Sequence, residues 1–114
     1  MKQLLAKFKY AICGVRLALK DKSVLLQVSI MILACIFFSF FDLTLFEWCL
    51  LLMCCAMVIV AEMFNTVIER MMNFIHPKWN DEVKDIKDFG AGVVLVASCF
   101  ALLIGILIIS SKLL

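Results

Sequence analysis

WCLLLMCCAMVIVAEMFNTVIERMMN, residues 48–73, is the stretch that decides the fold. Its first half is an unbroken apolar run, and its second half carries Glu62, Asn65, Thr66, Glu69 and Asn73. A carboxylate at the centre of a bilayer costs about 3 kcal/mol or more, so the depth of these groups matters. Counted from Trp48 at 1.5 Å per residue, Glu62 lies about 21 Å and Glu69 about 32 Å along a straight helix. The hydrocarbon core is about 30 Å thick, so the acids approach the far interface, where water and ions reach them. At 100° per residue the five polar positions fall within about 100° of one another, on one helical face.

Working outward, two further apolar segments fit spans: residues 24–41 and residues 89–111. Each is near the roughly 20 residues needed to cross a bilayer, the first being short and interrupted by Gln27. The chain of 114 residues is 66% hydrophobic, well above the roughly 45–50% of soluble domains. The expectation is a single all-α integral membrane domain over residues 1–114, with three transmembrane helices at 24–41, 48–73 and 89–111. Residues 1–22 form a separate element. There Leu4, Phe8, Ile12, Val15 and Leu19 share one helical face, and Lys2, Lys9, Arg16 and Lys20 lie around the other. That is the pattern of an amphipathic helix lying in the membrane surface. A single short basic stripe without a binding domain excludes nucleic acid as a partner. The first long apolar run begins only at Val24 and is not closed by a small-residue cleavage pattern, so a retained N-terminus is expected rather than a signal peptide.

Charge orients the chain. The N-terminal segment carries Lys2, Lys7, Lys9, Arg16, Lys20 and Lys22 against Asp21 alone. The first connector holds Asp42 and Glu47 with no basic residue, while the second holds Lys78, Lys84 and Lys87. The excess of Lys and Arg places the N-terminus and the second connector in the cytoplasm. Cys13, Cys35, Cys49, Cys54, Cys55 and Cys99 are scattered through apolar helices without a C-x-x-C pair, and read as small buried hydrophobes. The second connector breaks at His76-Pro77 and continues as an amphipathic or irregular segment into the last helix. In that helix Gly90, Ala97, Ala101 and Gly105 form a small-residue face suited to close helix packing.

The polar face has several chemical readings. It can bind helices together through carboxylate–lysine pairs, hold Mg2+ with oxygen ligands, or line a cation pathway, although three spans are few for a transporter. Lys87 and Asp88 stand at the entrance to the third span. Asp88 reads as a helix cap and Lys87 as a surface charge, or the two serve a phosphate: Lys87 neutralising its oxygens and Asp88 ordering a ligand. His76 is an interfacial or capping residue. The Gly90-Ala91-Gly92 run lacks the context of a dinucleotide loop or P-loop.

AEMFNTVIE, residues 61–69, followed by IKDFGAGVVL, residues 86–95, resembles the E-x-x-N-[ST]-x-x-E and K-D-x-x-A-G motifs of the small integral-membrane diacylglycerol kinases of bacteria, a family that includes undecaprenol kinases. The resemblance covers nearly the whole chain. It implies a homotrimeric bundle of amphipathic helix plus three spans in the bacterial inner (cytoplasmic) membrane, with active sites shared between neighbouring subunits. It implies MgATP-dependent phosphorylation of a membrane lipid alcohol: diacylglycerol, to phosphatidic acid, with undecaprenol kinase or a catalytically weakened membrane scaffold as alternatives. Glu69 then matches the catalytic glutamate, acting as base or orienting the lipid hydroxyl and associated with metal. Glu62 and Asn65 match polar site residues, Lys87 the lysine on nucleotide phosphate, and Asp88 its acidic neighbour. The chain departs from the pattern in four places. Lys22 stands where a glutamate is usual, with Asp21 one position earlier as a substitute metal ligand. Leu26 replaces an arginine, Asn73 an aspartate, and Trp79-Asn80 a Tyr-His pair.

Overall fold

The computed structural model describes residues 1–114 as four helices and no strands: α1 (Lys2–Leu19), α2 (Lys22–Phe38), α3 (Leu45–Ile75) and α4 (Asp81–Leu113). α3 and α4 are each long and apolar enough to cross a membrane. α2 has 17 residues, about 25 Å of helix. It counts as a third candidate span when taken with α1, from which it bends by 86°. The chain is thus an all-helical membrane protein with two to three candidate spans.

Each helix start has a local cause. Asp21 caps α2, its Oδ1 accepting from the backbone N–H groups of Ser23 at 3.0 Å and Val24 at 3.2 Å. Those donors would otherwise lack partners in the first turn, and such a cap is worth about 1 kcal/mol. Because an N-cap residue must be extended, capping at Asp21 also ends α1 and allows the sharp bend. α3 opens with a capping box. The Glu47 N–H donates to Thr44 Oγ1 at 3.2 Å, and the Thr44 N–H donates to Glu47 Oε1 at 2.9 Å. It closes at His76, before Pro77, where a following proline disfavours helical backbone.

α4 begins earlier than the expected 89. Asn80 Oδ1 accepts from the N–H groups of Glu82 and Val83, and the acids Asp81 and Glu82 sit in the first turn, where the helix dipole favours them. The segment read as amphipathic or irregular is therefore regular helix from Asp81 onward, and Asn80, not Asp88, is the cap. α2 in turn stops at Phe38, three residues short of the expected 41, and residues 39–41 turn back towards α3.

α3 and α4 pack along most of their length, α2 covers a smaller part of α3, and α1 touches α2 near the bend. At the end of the bundle remote from Asp21, Phe38, Leu51 and Ile108 are buried against one another, flanked by Leu43, Trp48, Ile104 and Ile109. Lys112 Nζ lies 2.7 Å from Glu47 Oε1 there, tying the last turn of α4 to the first turn of α3. The small-residue face of α4 divides its work: Gly105 lies where a methyl would touch the Phe38 ring at 3.4 Å, and Gly90 faces α3. The opposite end of the bundle gathers the α1–α2 bend, the second half of α3 and the first turns of α4, and there the polar residues collect.

Candidate active site

Helical phase brings the polar face of α3 inward only in part. Glu62, Asn65 and Thr66 are buried at 8%, 7% and 9% exposure, whereas Glu69 and Asn73, one and two turns further along, are exposed. Three adjacent polar side chains inside an otherwise apolar bundle need partners, since a buried group without a hydrogen bond costs about 1–3 kcal/mol. Two of them have one. Thr66 Oγ1 donates to Asp21 Oδ1 at 3.4 Å, joining α3 to the start of α2, and Asn65 Nδ2 donates to Glu69 Oε1 at 3.4 Å. Asn65 Oδ1 is fully buried and accepts from nothing.

α4 supplies the cation. Lys87 Nζ donates to Asn73 Oδ1 at 2.6 Å, which places the ammonium one turn beyond Glu69 on the same end of the bundle. Asp88 points elsewhere: its Oδ2 accepts from Lys84 Nζ at 2.5 Å, a pair one turn apart on the solvent side of α4, with both side chains more than half exposed. Of the residues singled out from the motifs, Asp21, Glu62, Asn65, Glu69 and Lys87 therefore share one end of the bundle, with Asp88 on its outer rim. Thr66, Asn73, Lys84 and Gly90 are the partners that sequence reasoning left out of the site. Thr66 and Asn73 carried a signal, each four residues beyond an acid on the same face. The Lys84–Asp88 spacing was also legible as an i,i+4 pair.

Gly90 is buried, and a Cβ built on it would stand 2.5 Å from Asn65 Oδ1. Within one chain no group of three or more His, Cys, Asp or Glu side chains comes together around a point that could hold a metal ion. The donors are nonetheless of the right kind. Carboxylate, amide and hydroxyl oxygens suit Mg2+, which characteristically takes one or two protein carboxylates and completes its shell with phosphate and water.

Residues 9–109 match the family described as prokaryotic diacylglycerol kinase. The chain belongs to that family. It is 29% identical over 104 residues to a diacylglycerol kinase of Helicobacter pylori strain ATCC 700392 / 26695, spanning 90% of this chain and 81% of the relative. It is 28% identical over 100 residues to the diacylglycerol kinase of strain J99 / ATCC 700824, spanning 87% of this chain and 78% of that relative. A phosphoryl-transfer protein needs a carboxylate beside the accepting hydroxyl and a cation beside the phosphate, and Glu69 and Lys87 stand on α3 and α4 at the same end of the bundle.

Proposed function

We propose that the protein transfers the terminal phosphoryl group of MgATP to the free hydroxyl of diacylglycerol, giving phosphatidic acid at the cytoplasmic face of a bacterial inner membrane. The observation that carries this reading is the pairing of the family match with a Glu69 carboxylate held by a buried amide and a Lys87 ammonium one turn away. The two to three candidate spans support three crossings, and the basic N-terminal segment and second connector support an N-terminus inside. α1, exposed along its length and bent 86° from α2, suits a position in the membrane surface.

Glu69 accepts the proton of the lipid hydroxyl through the oxygen that Asn65 does not occupy, and Asn65 fixes the direction from which the carboxylate approaches. Lys87 stabilises charge on the phosphate oxygens, with Asn73 holding the ammonium in place. Mg2+, when bound with ATP, offsets the charge that develops on the transferring phosphate. Glu69 and Asp21 are the protein carboxylates offered to it, and Asp21 has a second oxygen free because its cap and its Thr66 bond all fall on Oδ1. Glu62, Asn65 and Asp88 border the nucleotide, Asp88 from the rim through its pair with Lys84. One chain buries only 11 of its 114 residues and gathers no three-ligand metal group. The unburied helix faces suit an assembly, and the family resemblance makes it a homotrimer in which neighbouring chains complete each site.

The test is a transfer assay in vesicles with labelled ATP and diacylglycerol, with undecaprenol run in parallel. Glu69→Gln is expected to lower kcat by about 100-fold or more while the trimer stays folded, the scale of a lost general base. A folded wild-type trimer inactive on both lipids refutes the kinase reading and leaves a membrane scaffold.

A further inference from the structure

We infer that Gly90 is a positioning residue for the site, acting through the space it leaves for the Asn65 amide and thereby on the Glu69 carboxylate. Gly90 stands well inside α4, where glycine is among the poorest helix formers. Its backbone does not call for glycine, since no residue of the chain has a positive φ. The reason lies across the helix interface. A Cβ at position 90 would meet Asn65 Oδ1 at 2.5 Å, with Asn65 Cγ and Ile68 Cδ1 at 3.5 Å. The obstructing atom is not the free end of a mobile side chain. It belongs to an amide 7% exposed, pinned on its other side by the bond from Nδ2 to Glu69 Oε1.

That amide is set in an otherwise unfavourable way. Its oxygen is buried against α4 with no donor, which native interiors ordinarily avoid. Turning the amide over would present the oxygen to the Glu69 carboxylate, an acceptor facing an acceptor, and would lose the only bond the side chain makes. Glu69 therefore dictates the orientation, and the bare surface at Gly90 accommodates it. Ordinary contact begins near 3.4 Å, so the Asn65 oxygen would have to move by about 0.9 Å to clear a methyl group, a reorientation of the amide that its bond to Glu69, already 3.4 Å long, does not survive. Gly92, two residues further on, supplies an internal control, because a Cβ there meets nothing within 4 Å.

The kinetic part of this inference rests on the proposed function; the contact itself does not. The experiment compares Gly90→Ala, Gly92→Ala, Asn65→Ala and the Gly90→Ala/Asn65→Ala double variant of the full-length protein in vesicles. Gly92→Ala, whose methyl meets nothing within the chain, is expected to leave the Glu69 carboxyl shift at its wild-type position. Gly90→Ala should lower kcat about tenfold and change the KM for ATP no more than Asn65→Ala does, since Lys87 is untouched and both act through the same amide. In the Asn65→Ala background the same change should have no further effect, because the atom it strikes is gone. A second readout uses the 13C-carboxyl NMR shift of Glu69 at one fixed pH, which senses the hydrogen bond from Asn65: Gly90→Ala and Asn65→Ala should displace it equally, and the double variant no further. An unaltered Gly90→Ala in both readouts, or an equal loss in the Asn65→Ala background, overturns the inference. If the wild-type protein transfers no phosphate, the proposed function falls and the fixed-pH carboxyl shift alone decides the positioning role. Should Gly90→Ala fail to fold, the comparison runs in an Asn65→Ser background, whose shorter side chain clears the methyl and keeps a donor. Indifference to Gly90→Ala there supports the inference, and a loss of activity or folding refutes it.

Discussion

Replacing Asn73 by aspartate tests whether Lys87 meets phosphate. Lys87 Nζ donates to Asn73 Oδ1 at 2.6 Å. An amide orients the ammonium yet leaves its unit charge uncancelled, whereas a carboxylate at the same place would keep the hydrogen bond and cancel the charge. At 2.6 Å two unit charges attract by about 1.6 kcal/mol in bulk water. Exposed pairs retain about 1 kcal/mol or less of this after side-chain ordering and salt screening. That energy is subtracted from the attraction of Lys87 for phosphate, which corresponds to about a fivefold rise in the KM for MgATP. The assay is initial-rate transfer to diacylglycerol in vesicles over a range of MgATP, at low and at high ionic strength. The difference between the variant and wild type should shrink in high salt, because the added charge is screened. Asn73→Leu, which removes the acceptor but not the charge of Lys87, should raise KM less than Asn73→Asp. If Asn73→Asp binds MgATP as well as wild type at low salt while Asn73→Leu is impaired, the amide serves as a tether alone and the charge argument is wrong.

Two further outcomes concern the bend. Asp21→Ala removes the cap of α2 and the bond from Thr66, so unfolding in detergent should begin at lower temperature, by the equivalent of about 1–2 kcal/mol. The amides of residues 22–25 should exchange faster, and normal protection there would count against the cap. Lys22 is the first residue of α2 and exposed, directly after Asp21. Lys22→Glu puts an acid at a helix N-terminus, where the dipole favours it, and adds a carboxylate beside Asp21. The Mg2+ concentration for half-maximal rate should fall and the rate at low Mg2+ should rise; an unchanged Mg2+ dependence would remove position 22 from the metal environment.

How much of this was legible beforehand depended on whether the information lay along one helix or between two. The membrane character of residues 48–73 and 89–111 followed from length and hydropathy, and α3 and α4 contain both ranges. The polar face of α3 followed from the 100° step, and the Asn65–Glu69 bond, four residues apart, lies along it. The early start of α4 was visible in principle in Asn80 followed by two acids, but the mixed charges of residues 81–88 obscured it. Contacts between helices had no such signature. Lys87 and Asn73 are fourteen residues apart, and Asp21 and Thr66 forty-five; their meeting depends on the turn at His76-Pro77 and on the 86° bend, angles that periodicity does not encode. Gly90 read as one of several small residues until its neighbour was known to be an amide rather than a methyl group.

Glu69 and Lys87 have neutral partners, and that choice bears on the proposed function. Glu69 is held by the amide of Asn65, and Lys87 by the amide of Asn73. Elsewhere the chain pairs opposite charges outright: Lys112 with Glu47 at the remote end and Lys84 with Asp88 on the rim of α4. A pair of opposite charges satisfies both members and leaves little field for a third party, which suits a clamp between helix ends. A neutral amide restricts where a charge points and leaves its charge available. The proposed site, which binds a polyanion and receives a proton, is served by the second arrangement, because Lys87 bridged to Glu69 would occupy both of the groups proposed to act. Asn73, a departure from the aspartate usual in the motif, therefore keeps the lysine of this chain oriented without neutralising it.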